Sequence, residues 1–417
     1  MKKINTLQAS FFWNIVGSLL NAIASLILSI LVVHISGNNV AGMFSLAFAS
    51  SQLMLTIGCF EVRIYQSTDV LERFKFSDYF TLRIITVVLM IIASCLYIYA
   101  NQYYLDDTAI IMVVLCGYRV IDAISDVFQG YFQQIEHLDI AGKMLSLRVI
   151  VSTLVFGIIL LCTQNVVVSV LGMFLSALIV FLFYDCQKTK HVVLIKFNFN
   201  WGKIKGLFIE CVPLFACAFM LMYVFNAPRN SIFLYLTPDE QSYYNQLFMP
   251  ATIINLLIIA FRPMLTKMAF FWNDFRITSF LKYTSIILSG IGVFVIFLLL
   301  GGYFLGIPVL SVLYTNALYP YKKVLMIILL GGGANSLGNI LYNILTIMRK
   351  QYALLIGYTI TSLTAFFFSD LLVLKFGLEG AALSFLISMF VFFITAVILF
   401  LFFLFNERKK IKKSFGG

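Results

Sequence analysis

The chain has 417 residues, is 61% hydrophobic and only 11% charged, and carries a formal net charge of +11 with a mean hydropathy of +0.98. That composition excludes a set of ordinary water-soluble domains and predicts an all-α polytopic membrane protein. It also argues against a nucleic-acid binder, because the basic residues fall in short loops and at the C-terminus, with no soluble domain to present them.

Apolar runs of about 20 residues are the unit that crosses a bilayer. Twelve are predicted in chain order, at about 11–33, 40–62, 80–100, 108–133, 143–162, 166–185, 206–228, 242–265, 280–300, 323–347, 351–374 and 380–405. The first follows Lys2 and Lys3 without a small-residue cleavage site, so it is expected to be a spanning helix and not a removed signal. The longest connection, 186–205, is basic and splits the chain into a six-helix lobe at 1–185 and a second at 206–405, with a basic tail at 406–417. Of the 29 lysines and arginines, twenty fall at the N-terminus, in the even-numbered loops or in the tail, and four in the odd-numbered loops. This bias predicts a multi-pass protein of the plasma (inner) membrane with both termini in the cytoplasm.

The fourth predicted helix carries the most informative pattern. Arg119, Asp122, Asp126, Gln129 and Gln133 are spaced at 3, 4, 3 and 4, which puts all five on one helical face. Charge at mid-membrane depth is costly and normally faces a bundle interior or a wet cavity. The face is expected to line a polar pathway; the alternative is an Arg119–Asp122 ion pair that only fastens helices together. Arg83, Arg148 and Arg262 each lie a few residues inside the cytoplasmic end of a helix. They would form a cationic mouth for an anionic head group, or snorkel to ordinary lipids. In the tenth helix Asn335 and Asn339, followed by Asn343, form a stripe that suits either sugar hydroxyls or interhelical hydrogen bonds. Gly331, Gly332 and Gly333 in the same helix are a hinge candidate. Asn226, Ala227, Pro228 and Arg229 end the seventh helix, where Arg229 either terminates the helix or meets a phosphate. Glu210 and Asp370 are embedded acids that would carry a coupling proton or balance an arginine.

Seven scattered cysteines without a CxxC pair and three loop histidines point to no metal, and the absence of a Walker A motif points to no nucleotide hydrolysis by this chain. No cofactor is expected.

Four stretches carry a family likeness. Val40–Ala47 (VAGMFSLA), Phe128–Glu136 (FQGYFQQIE), Val212–Leu234 (VPLFACAFMLMYVFNAPRNSIFL) and Lys375–Ser384 (KFGLEGAALS) occur in an order and spacing that cover nearly the whole chain. In these the chain resembles the polysaccharide flippases of the MATE-like multidrug/oligosaccharidyl-lipid/polysaccharide exporter superfamily, the O-antigen and capsule repeat-unit translocases. The resemblance implies two six-helix lobes around a cavity that opens alternately to either side. It implies a lipid-linked oligosaccharide on undecaprenyl diphosphate as substrate, membrane lipid as surroundings, and a polysaccharide polymerase or other assembly proteins as partners. By position, Arg119, Arg148 and Arg262 match the cations that meet the diphosphate in that family. The first helix lacks the acid on which drug-exporting relatives rely. A polymerase would need a long external loop bearing clustered Arg, His or Asp, which the sequence lacks.

Overall fold

The structure is a computed structural model. It describes residues 2–69, 73–101, 107–135, 137–274, 276–314, 316–348 and 350–415, with the side chains at 2–11, 14–15, 68, 253–263, 266–267, 269, 273, 316, 351–352 and 408–415 outside the description. Every regular element among the described residues is helical.

The first helical run, Lys2–Cys59, breaks at Gly37 into α1 (2–36) and α2 (38–59). Gly37 has φ 82, a region where a side chain would meet its own backbone, so glycine is what permits the reversal. The chain does fold back there: Ser25 and Phe48, each eleven or twelve residues from Gly37, line the same small cavity. A short helix, Val62–Thr68, leads to α3 (Phe76–Ala100), α4 (Thr108–Gln134) and α5 (Leu138–Thr163). The next helix, α6 (Val166–Val180), runs through a π-turn at Phe181–Asp185 into Cys186–Lys190. Then come α7 (Trp201–Tyr235), α8 (Pro238–Asn273) and α9 (Ile277–Gly301, extended to Leu313 through a second π-turn). A 3-10 turn precedes α10 (Lys322–Ile347). The last run, Gln351–Phe415, breaks at Gly377 (φ 56) into α11 (351–376) and α12 (378–415). It too folds back, since Ser369 and Ser384 share a 2.8 Å hydrogen bond across the turn.

Among the described residues nine helical runs are long and apolar enough to cross a membrane. Two of them are the glycine-broken pairs, and α8 completes the twelve spans expected from the apolar runs. The predicted cores hold to within three residues, and most helices extend beyond them, α9 by thirteen residues, because turns continue into the interfacial zone where hydropathy falls but hydrogen bonding does not.

The chain forms two compact units, Met1–Met222 and Tyr223–Gly417. In the first, α4 is the hub, packed against α1–α2, α3, α5 and α6. In the second, α10 is the hub, packed against α8, α9, α11 and α12. Ile110 and Val113 near the start of α4 and Leu330 on α10 are the only exposed large apolar side chains of these two helices among the described residues, so most of each faces other helices, which is where their polar stripes lie. Outer helices do the reverse. On α5, Leu147, Ile150, Leu154, Ile158 and Leu161 repeat on one exposed face, a stripe that acyl chains cover in a bilayer. The glycines of α10 serve close packing: a Cβ at Gly331 would lie 2.7 Å from the Phe385 ring, and one at Gly333 would lie 2.6 Å from Val295. The helix runs unbroken through all three.

Candidate functional site

Four arginines and three aspartates converge inside the first unit. The loop after α2 begins with Phe60 and Glu61, both left-handed (φ 45 and 54), and this elbow starts the short helix that carries Arg63. Asp69 fixes the loop. Its carboxylate accepts hydrogen bonds from the Phe74 and Arg73 amides at 3.1 Å and from the Tyr79 hydroxyl at 2.8 Å. Burial acts to raise the Asp69 pKa, but those three donors outweigh it and hold it below the usual carboxylate value.

Arg83, fully buried on α3, donates to the Gly58 carbonyl at 2.7 Å, capping one of the free carbonyls that end α2. Its other terminal nitrogen pairs with Asp126 at 2.7 Å. Arg63 reaches the second Asp126 oxygen at 3.2 Å and donates to Gln129 and Gln133 at 3.0 and 3.2 Å. One turn along α4, Asp122 bridges Arg119 at 2.7 Å and Arg148 of α5 at 3.1 Å. Arg148, 1% exposed, also pairs with Asp185 at 2.7 Å and donates to Ser125 at 2.6 Å. Asp185 is fully buried, and the π-turn of α6 points it inward. Ser125 closes the ring by donating to Asp185 at 2.6 Å. Arg119 also lies over the Phe48 ring at 4.9 Å and faces a cavity of about 20 Å3, room for one water, lined by Asn21, Ser25, Ser152 and Thr153.

The structure therefore brings Arg83, Arg119, Arg148, Asp122, Asp126 and Gln129 into one network. Arg83 and Arg148 lie in the interior, each against carboxylate, and not at a mouth. Three participants were not singled out from sequence: Arg63, Asp185 and Glu61. In the sequence Arg63 is one of the loop cations whose bias sets orientation. Asp185 closes an otherwise uncharged apolar run, which was the available signal.

Glu61 sits just beyond the end of α2. Loss of water on burial, then repulsion from Asp126, partly offset by Arg83, push its pKa from 4.5 to about 7. Between those values the folded protein keeps a proton that the unfolded chain has shed. The Glu61 contribution to stability should thus fall as pH rises from about 4.5 to 7 and be constant on either side. Glu61→Gln should flatten that window in melting curves recorded against pH; an unchanged slope would place the titration elsewhere.

The other expected residues lie apart from this network. Glu210 on α7 pairs with Arg73 at 3.0 Å and accepts from the Tyr65 hydroxyl, while Phe60 stacks on Phe208 and Phe215 nearby. In the second unit Asp370 accepts from Ser231 at 2.6 Å. Asn335 is buried on α10 and Asn339 half-buried. Arg262 lies outside the described side chains.

Arg229 differs from the four arginines of the first unit. It donates to Asn245 at 2.8 Å and to the Phe225 carbonyl at 3.2 Å, and lies over the Phe248 ring at 4.8 Å. No carboxylate among the described residues pairs with it. It is half-buried among the helices.

These features define a multi-pass helical membrane protein of MATE-like fold. It superimposes on a multidrug resistance MATE family transporter in an inward-facing conformation with a TM-score of 0.70 at 12% identity, covering 95% of this chain and 96% of that one. The inward closed lipid II flippase MurJ matches with a TM-score of 0.68 at 16% identity, covering 95% of this chain and 87% of its own. By sequence the chain is 24% identical over 394 residues to the capsular polysaccharide biosynthesis protein CapF of Staphylococcus aureus, covering 92% of this chain and 96% of that protein. No protein-family model matches the chain. The likeness to the capsular protein bears out the resemblance to polysaccharide flippases, and the solved structures bear out the MATE-like fold.

Proposed function

We propose that this protein is a flippase that moves an oligosaccharide repeat unit, linked to undecaprenyl diphosphate, from the inner to the outer leaflet of the plasma membrane by alternating access. A diphosphate and several sugars do not cross about 30 Å of hydrocarbon unaided. A protein that exposes a cation and hydrogen-bonding groups to the head, while the prenyl chain stays in lipid, removes that barrier without covalent chemistry. The observation that carries the reading is Arg229: a half-buried guanidinium that pairs with no carboxylate among the described residues has donors left for a phosphate oxygen. The likeness to CapF over nearly the full chain supports a polysaccharide role. The paired arginines of the first unit, with Gln129 held between Arg63 and Ser125, serve on this view as a rigid frame, and in the second unit the half-buried amide of Asn339 is available to sugar hydroxyls. The loop charge bias supports cytoplasmic termini.

Depleting the protein in its own cell should cause undecaprenyl-diphosphate-linked repeat units to accumulate in the inner leaflet while surface polymer declines. The fold likeness to MATE transporters favours a second reading, export of small molecules. On that reading depletion would lower drug resistance and leave the polymer unchanged.

A further inference from the structure

Between the end of α6 at Lys190 and the start of α7 at Trp201, residues 191–200 form an irregular, exposed segment. Its side chains are unlike those of a solvated loop. Val192 is 50% exposed, Leu194 69%, Phe197 54%, Phe199 66% and Trp201 65%. In water such a run would be a sticky patch. Here it lies between two membrane spans whose adjoining ends also carry exposed apolar side chains, Leu182 and Phe183 on one and Ile209 on the other.

Charge says what covers it. From Cys186 to Ile209 there are five lysines, at 188, 190, 196, 203 and 205, and no acid at all. All five are exposed, and none makes a salt bridge among the described residues. An apolar strip with an aromatic end, flanked by unneutralised ammonium groups on flexible stems, matches the layered chemistry of a bilayer edge: acyl chain, then glycerol, then phosphate. The segment is also held in place. The Asn198 amide donates to Thr81 of α3 at 2.9 Å, and its side chain donates to Asp78. Phe197 packs on Phe80 at 5.3 Å, Phe80 on Phe128 of α4 at 6.0 Å, and Phe128 on Phe181 of the α6 π-turn at 5.8 Å.

We propose that residues 188–205 are an interfacial strap that binds anionic phospholipid, with Phe197, Phe199 and Trp201 among the upper acyl carbons and the lysines on head-group phosphates. The ring stack then places the bilayer edge in mechanical contact with the helices bearing Asp126 and Asp185. The inference rests on membrane residence and not on the flippase reading.

The test uses the full chain in nanodiscs, with Trp13→Phe and Trp272→Phe leaving Trp201 as the single tryptophan, excited selectively over the tyrosines. Spin labels at acyl carbon 5 should quench Trp201 at least about twofold more than labels near the chain end, as expected for an interfacial ring. Replacing phosphatidylglycerol by phosphatidylcholine should weaken that quenching. Changing the five lysines to glutamine should abolish the difference between the two lipids while leaving the melting temperature unchanged. Water-like emission without quenching in either lipid would overturn the proposal. Equal quenching in both lipids for the lysine-bearing protein would overturn its anionic specificity. Spin-label EPR gives a second readout that needs no tryptophan change: enrichment of labelled phosphatidylglycerol at the protein surface should fall to the phosphatidylcholine level in the lysine variant, and unchanged enrichment would likewise refute it.

Discussion

Asp185→Ala is expected to destabilise the first unit by roughly 3–5 kcal/mol, the cost of leaving one partner of a buried ion pair uncompensated. Arg148 has no route to water, being 1% exposed, and Asp185 supplies the carboxylate nearest to it. Without Asp185, Arg119 and Arg148 would share Asp122 alone, and Ser125 would lose the acceptor of its hydroxyl proton. Thermal melting in detergent and the yield of folded protein both measure this. Asp185→Asn should recover only part of the loss, because it keeps the shape and one acceptor but not the charge. Joining Asp185→Ala to Arg148→Met should restore more stability than either single change predicts, since the stranded cation is then gone. A double variant no better than the worse single would show that packing, and not charge balance, sets the cost.

Arg229→Ala is expected to lower surface polymer by about tenfold or more while abundance and melting temperature stay close to the parent, the pattern of an interaction made with substrate alone. The reason lies in its partners. Removing Arg229 frees an amide and a carbonyl at a partly open position, not a buried carboxylate. Truncation therefore carries little folding cost. Arg229→Lys should retain part of the activity, keeping the charge but losing the planar two-pronged grip on phosphate and the stacking on Phe248. Full export from Arg229→Ala at parental abundance would remove it from the path. The contrast with Arg148 is the useful part: both are membrane arginines, but one should fail in folding and the other in transport.

The twelve spans were legible because the signal is local. A run of twenty apolar residues declares a crossing without reference to any other part of the chain. The polar face of α4 was legible for the same reason, since helical spacing alone puts Arg119, Asp122 and Asp126 together. What those residues touch was not legible. Arg63 meets Asp126 across 63 positions, Arg83 meets it across 43, and Arg148 meets Asp185 across 37. No periodicity links such pairs, and Arg63 carries the same signature as any loop cation that orients a membrane protein. For the arginines of α3 and α5 the sequence gives only depth, and depth alone points to a mouth. Their azimuth on the helix, which sends them inward, depends on which face each helix gives to α4. The role of the α10 glycines also turned on neighbours, because only the positions of Phe385 and Val295 distinguish close packing from a hinge.

The single-residue reversals at Gly37 and Gly377 bear on how the chain is made. Each joins two spans with no connecting loop, so neither arm can be released alone into the bilayer during synthesis. Each pair is expected to enter the bilayer as a hairpin, with the polar backbone of the turn shielded by two apolar arms at once. The first two and the last two spans are thus single biogenetic units. A tag, protease site or glycosylation sequon placed at either glycine would tax assembly itself before it reported on topology.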